Sequence, residues 1–374
     1  MLDLATLFPA PMTAAMLGDL GADVVKVESL TGDPLRVTGA MHGDRTFVWA
    51  LANRNKRAVA VDFDSGDGLA LVHRLTAAAD VVLLNQPQRV LERWVCTYDD
   101  IAARNPRAVV VAVTGFGSDG PWAERPGNGT VLEAYGGLTH MTGEADGPPL
   151  LSSVPIGDYM GAFAGVQGAL AALYWRDAND GAGQLVDVSI YEAVMQFLGP
   201  AMVAWSPGEP PPTRSGSRIP VATPRNVYRT RDGQYVVISG PVDSQVVRIL
   251  ELMDAATDDN RARFGSAAER NAHADELDTM VAAWVGTLDA NDVLAALGDA
   301  RIPAVRVNDV ASLLADPHVQ ARGSIALVDD DELGARYMPA PAPHLSRTPS
   351  RIATSGPAFG ADTADVLREW LGEQ

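Results

Sequence analysis

The sequence predicts an α/β protein: a large domain on a parallel sheet covered by helices on both faces, followed by a smaller α+β domain. Three observations predict it. Helical stretches alternate with short Val-rich runs through the first half of the chain, the pattern of a sheet buried on both sides. A proline-rich segment, SPGEPPPTRSGSRIPVATP at 206–224, then interrupts all periodicity and marks a connector. Beyond it lie a hairpin signal and further helical patterns. At 374 residues the length also favours two domains.

Taken in order, residues 1–5 (MLDLA) read as a strand, 9–20 as a helix ended by Gly21, and 23–28 (DVVKVE) as a strand. Residues 58–62 are a strand and 66–78 a helix, with strands again at 80–84 (DVVLL) and 108–114 (AVVVAVT). Ligands of such sheets settle at the carboxyl ends of strands, where strand order reverses. The stretch 115–155 is irregular apart from one short apolar helix, and segments of this length inside a domain are usually functional. A strand at 184–188 and an apolar helix at 191–198 follow. After the connector, 226–230 and 234–239 flank Arg231-Asp232-Gly233 as a hairpin. Helices at 244–253, 275–287 and 291–297 and a strand at 302–307 complete the small domain. The expected division is 1–205 for the first part of the large domain, 206–227 for the linker and 228–316 for the small domain. Residues 317–374 return to the large domain and close with a helix at 361–371.

The least polar long segment is 154–175, VPIGDYMGAFAGVQGALAALYW. Gly161, Gly165 and Gly168 recur there at helical spacing and leave one face almost bare for a close neighbour. Asp158 stands at its front edge, where an N-cap belongs. Two readings stay open at this point: a plain helix cap, or a carboxylate kept ionised by the helix end and used as nucleophile or base.

Composition removes several classes. A net charge of −18 disfavours nucleic acid and anionic membrane surfaces as partners. The single cysteine, Cys96, and the absence of a visible signal peptide point to a reducing cytoplasm. The only lysines, Lys26 and Lys56, lie outside any P-loop, no HExxH, CxxC or GxSxG occurs, and no metal site is expected. Cations nevertheless gather near the expected strand ends: Arg36 in GDPLR, Asn53-Arg54-Asn55-Lys56-Arg57, and Arg89 and Arg93 after Asn85. Such a gathering in an acidic chain suits a phosphate-rich ligand; ordinary surface charge is the competing reading.

In order along the chain, LDLATLFPAPMTAAMLGDLGADVVKVE, GDPLR, NRNKRAVAVDF, ADVVLLNQPQRVLERW, TGEADGPP, PIGDYMGAFAG, YRTRDGQYVVIS and IPAVRVNDVASLLADPHVQARG resemble the class III CoA-transferase family. That family includes formyl-CoA transferase, carnitine and bile-acid CoA-transferases and α-methylacyl-CoA racemase. The resemblance implies a Rossmann-like large domain made from both chain ends, a small domain, and an interlocked homodimer. It implies an acyl-CoA donor and a carboxylic acid acceptor, with coenzyme A as substrate and no tightly bound cofactor. By resemblance Asp158 is the nucleophile, and Arg36, Asn55, Lys56, Asn85, Gln86 and Arg93 hold CoA. Phe8, Asn128, Met141 and Gly157 fall in the expected substrate pocket, with Trp49 beside them.

The implied chemistry passes through an aspartyl anhydride and an aspartyl-CoA thioester, with Gly157 and the first turn after Asp158 as candidate oxyanion donors. Asn85-Gln86-Pro87 departs from the family's Asn-Phe-Arg, so contacts there are expected to differ in detail. Asn128 stands where racemases of the family carry a histidine, which disfavours proton shuttling. Asn128, Phe8 and the lack of a glycine-rich run near Gly240 also argue against formate and oxalate. The alternatives are an isomerase of the racemase type and a CoA-binding paralogue without turnover.

Overall fold

Runs such as Val109-Val110-Val111 cannot be amphipathic, and the structure buries both of their faces. The structure is a computed structural model and describes residues 1–373 apart from Asp180 and Pro220. Pro220 of the expected linker and Gln374 of the expected C-terminal part lie outside the described residues. Two compact units are present. The first comprises Met1–Thr139, Leu151–Ser206 and the stretch from Pro317 onward; the second comprises His140–Leu150 and Pro207–Asp316.

In the first unit the elements are β1 (Leu2–Asp3), α1 (Pro9–Asp19), β2 (Val24–Ser29), β3 (Lys56–Val61), α2 (Gly66–Ala78), β4 (Val81–Leu84) and α3 (Gln88–Trp94). They continue with β5 (Val109–Thr114), α4 (Gly129–Tyr135), α5 (Ile156–Ala178), β6 (Leu185–Ser189) and α6 (Ile190–Met195). The strands form a 6-stranded parallel sheet in the order β3-β2-β1-β4-β5-β6. Strand order therefore reverses between β1 and β4, which opens the crevice typical of doubly wound sheets at their carboxyl ends.

Alternate residues of each strand feed opposite cores. Val109, Val111 and Val113 pack with Ala10, Ala14 and Leu17 of α1 and Ala169 and Ala172 of α5. Val110, with Val59 and Val82, packs against Val72 and Leu75 of α2 and against Val366 near the chain end. Each such burial contributes on the order of 1.5–3 kcal/mol, so the hydrophobic runs decide the layer order.

The second unit holds β7 (Arg225–Arg229), β8 (Tyr235–Ser239), α7 (Asp243–Leu252), α8 (Ala274–Val285), α9 (Ala290–Asp299) and β9 (Ala304–Arg306). Its sheet is antiparallel in the order β9-β8-β7. Val236 and Ile238 meet Val246, Ile249, Leu277, Val281 and Val293 in its core. Among the described residues no single helix is long and apolar enough to cross a membrane.

Several elements depart from expectation. The helix Phe47–Ala52 is apolar throughout and too short to show a period, and only its Thr46 cap betrays it, the hydroxyl accepting from Trp49 N. Arg89 and Arg93 lie on α3 rather than in a loop. The proline-rich stretch after Gly323 contains a hairpin, Ile325–Val328 with Arg336–Pro339. The chain closes with α10 (Thr363–Leu371).

Candidate active site

Helix α5 starts earlier than its sequence indicates. Pro155 occupies the N-cap with no side-chain acceptor, and the backbone is helical from Ile156. Asp158 is therefore the third helical residue and not the cap. The capping task is done from another helix: the Gly157 N–H donates to Glu133 Oε1 of α4 at 2.9 Å. Gly157 is thus engaged as a donor, which removes it as an oxyanion ligand in this structure. The Asp158 carboxyl is left for other work.

The amino ends of α4 and α5 meet backbone to backbone. A Cβ at Gly129 would lie 2.4 Å from Asp158 Oδ1, and one at Gly157 would lie 2.9 Å from the Gly129 carbonyl oxygen. Neither position tolerates a side chain. Burial pushes the Asp158 carboxyl up to about 6, the Gly129 N–H pulls it down, and the Glu133 carboxylate pushes it up again. A carboxylate with a raised pKa is a more basic nucleophile and still mostly ionised near neutral pH.

Helix α5 meets α1 at Gly165 of the glycine stripe, while Gly161 and Gly168 face Ile190 of α6 and Val186 of β6. Thr13 Oγ1 donates to Ala162 O at 3.3 Å and lies where a Gly165 Cβ would come within 2.8 Å. Tyr159 packs edge-on against Phe8, with ring centroids 5.3 Å apart. Asp158 thus sits one residue from an aromatic contact with the β1–α1 loop, the loop that borders the strand-order reversal.

That loop is strained and locked. Leu7 takes φ +64°, a costly conformation for a branched side chain. Asn85 Oδ1 accepts from Thr6 N at 2.9 Å, and its Nδ2 donates to Thr6 O at 2.7 Å. Gln86 Nε2 donates to Leu4 O at 2.6 Å, and Asp33 Oδ1 accepts from Leu7 N at 3.2 Å. Asn85 and Gln86 therefore fasten the crevice floor.

The expected coenzyme-binding cations divide into two groups. Arg36 lies beyond β2, bidentate to Glu28 at 2.7 Å for each bond and stacked 3.7 Å above the Trp49 ring. Arg93 is exposed on α3 and makes no hydrogen bond or ion pair among the described residues. Lys56 is different. It is buried at the start of β3, and its ammonium donates to Asp3 Oδ2, Pro11 O and Asn53 Oδ1 at 2.7–2.8 Å. Burial lowers it to about 8 against the pull of Asp3. All three protons are used, so Lys56 has none left for a phosphate.

Asn55 is likewise committed, donating to Asp19 and to Arg351 O at 2.8 Å and accepting from Ala353 N at 2.7 Å. Trp49 is fully buried and belongs to the core, its Nε1 donating to Pro357 O at 3.1 Å. Asn128 is exposed and caps α4 by accepting from Val131 N at 3.3 Å. Met141 falls in the second unit. Glu133, Gly129 and Thr13 were not foreseen; the signal was one acid within the apolar run TVLEAYGG, three residues before a helix-breaking pair. Among the described residues no His, Cys, Asp and Glu side chains gather as a metal-ion set.

The sequence profile of CoA-transferase family III matches residues 1–363. A succinyl-CoA–D-citramalate CoA-transferase of Chloroflexus aurantiacus is 35% identical over 99% of this chain and 92% of its own length. A succinyl-CoA:mesaconate CoA-transferase of Haloarcula hispanica is 30% identical over 98% and 94%. The crystal structure of a CAIB/BAIF family protein from Brucella suis superimposes with a TM-score of 0.85 at 28% identity, covering 99% of this chain and 97% of that one.

Proposed function

The chain belongs to CoA-transferase family III, and from that premise we propose that it passes coenzyme A from succinyl-CoA to a second carboxylic acid through Asp158. It is a CoA-transferase, and CoA thioesters are its substrates. The succinyl donor is drawn from the relatives, whose names pair it with citramalate, malate and mesaconate. One observation carries the assignment of Asp158: it opens a long helix, yet Glu133 satisfies the turn in its place, and burial raises its basicity.

The reaction proceeds by exchange alone. The Asp158 carboxylate attacks the thioester carbonyl, a C–O bond forms, the C–S bond breaks, and CoA leaves as thiolate with the electron pair. The thiolate then attacks the aspartyl carbonyl of the mixed anhydride, forming a C–S bond and expelling succinate as carboxylate. An acceptor carboxylate attacks the aspartyl-CoA thioester and releases the thiolate again. The thiolate finally attacks the acceptor's carbonyl, and Asp158 departs as a carboxylate. No proton, electron or nucleotide is consumed, and two difficult substitutions become four easier ones.

Arg36 and Arg93 supply positive charge for the coenzyme's phosphates, while Asn85 and Gln86 shape the crevice by holding Leu4 and Thr6. Asn55 and Lys56 act through the frame beneath α1. Phe8 borders the acyl pocket from the β1–α1 loop. A second copy of the chain covers the apolar stripe that α5 leaves open at Phe163, Leu170 and Tyr174, as the interlocked homodimer requires. The buried, single Cys96 fits a reducing cytoplasm. Asn128 is a cap without a titratable proton, so racemisation has no base there.

The test is exchange between succinyl-CoA and a panel of malate, citramalate, mesaconate and glutarate, followed by chromatography of the CoA esters. A new acyl-CoA with ping-pong kinetics supports the proposal. Hydrolysis alone, or α-deuterium uptake from heavy water without a new CoA ester, contradicts it.

A further inference from the structure

We infer that Glu133 is a positioning residue: it takes the place of the missing cap on α5 and, by doing so, relieves the Asp158 carboxyl of that task and orients it for covalent work. This role rests on the reading of Asp158 as nucleophile. No side chain of its own segment caps α5: Pro155 offers no acceptor, the Ile156 N–H turns back to Val154 O at 2.8 Å, and the first N–H groups of a helix have no partner within it. Glu133 is only 3% exposed, and its Oε1 accepts from Gly157 N at 2.9 Å. Helix α4 therefore holds the residue before Asp158 through a side chain and meets Asp158 itself through Gly129, whose Cβ would collide with the carboxyl.

The fit is close on every side. A Cβ at Gly157 would lie 3.0 Å from Glu133 Cγ, so the two helix beginnings are in close contact. The other elements packed on this part of α5 present Thr13 from α1 and Ile190 from α6, neither of which titrates. Glu133 is thus the charged group that acts on Asp158, alongside burial and the Gly129 N–H. Loss of its acceptor would misplace the nucleophile, and loss of its charge alone would change only the nucleophile's proton affinity.

Two substitutions separate these effects. Glu133→Gln keeps a carbonyl oxygen for Gly157 and removes the charge. Its kcat with succinyl-CoA is expected to stay within about threefold of the parent while the acid limb of the pH profile moves to lower pH. Glu133→Leu removes the acceptor; kcat is expected to fall about 100-fold with KM for succinyl-CoA nearly unchanged. A Leu variant with parental kcat, or a Gln variant whose acid limb does not move, overturns the inference. Should the Leu variant fail to fold by circular dichroism, the Gln pH profile decides alone. Trapping with hydroxylamine keeps the two claims apart. No Asp158 adduct in the parent protein sinks the reading of Asp158, whereas equal trapping rates in parent and Glu133→Leu sink only the role of Glu133.

Discussion

At Asp158 stability and activity pull in opposite directions. A carboxyl whose folded pKa of about 6 lies above its unfolded value binds more protons in the folded state between roughly pH 4 and pH 6. Stability is therefore greatest below that window and falls as the pH rises through it. Asp158→Asn removes the penalty. It is expected to raise the melting temperature at pH 8 by about 1–2 °C, corresponding to roughly 1 kcal/mol in a chain of 374 residues once partial exposure is allowed for. The same variant should lose exchange activity by at least about 1,000-fold. For the parent protein, kcat/KM should fall tenfold per pH unit below about 6, as the Asp158 carboxylate is protonated; a rate flat down to pH 5 would exclude Asp158 as the titrating group. The sequence marked this residue, because an acid opening a long apolar run is unusual. Its place inside the first turn of the helix is not legible, since the acceptor for the turn comes from Glu133, 24 positions before Gly157, and no local pattern reveals a contact of that range.

The long elements were legible because their periods were. The helix Gly66–Ala78 was read to the residue, and the Val-rich strands were found within a residue or two of their ends. The glycine stripe of α5 was also legible, and the structure gives each member a neighbour: Ile190 against Gly161, Thr13 against Gly165 and Val186 against Gly168. Gly165→Ala places a methyl 2.8 Å from Thr13 Oγ1. Because Thr13 is itself fully buried, the substitution is expected to destabilise by about 1–3 kcal/mol in urea titration. A neutral result would mean that α1 and α5 are looser than described. Short elements escaped notice for a physical reason: the helices Phe47–Ala52 and α3, with 6 and 7 residues, span too few turns to display a face.

Across the molecule, the sequence located a gathering of cations but not how each is used. Arg36 and Lys56 look alike as a string of letters. One stands beyond a strand's carboxyl end with its guanidinium stacked on Trp49, and the other is an internal tie between Asp3, Pro11 and Asn53. Burial decides between them, and burial follows from strand order, which segment patterns do not encode. The parallel sheet with a smaller antiparallel unit, by contrast, was legible, and the CAIB/BAIF protein of Brucella suis shares the fold over nearly the whole chain. The central claim joins these scales in one covalent bond. Incubation with succinyl-CoA, quenching with hydroxylamine and peptide mass spectrometry tests it directly. The account predicts a hydroxamate on Asp158 that requires the thioester and vanishes in Asp158→Asn. An unmodified Asp158 in protein that is exchanging CoA, or an adduct on another residue, would contradict it.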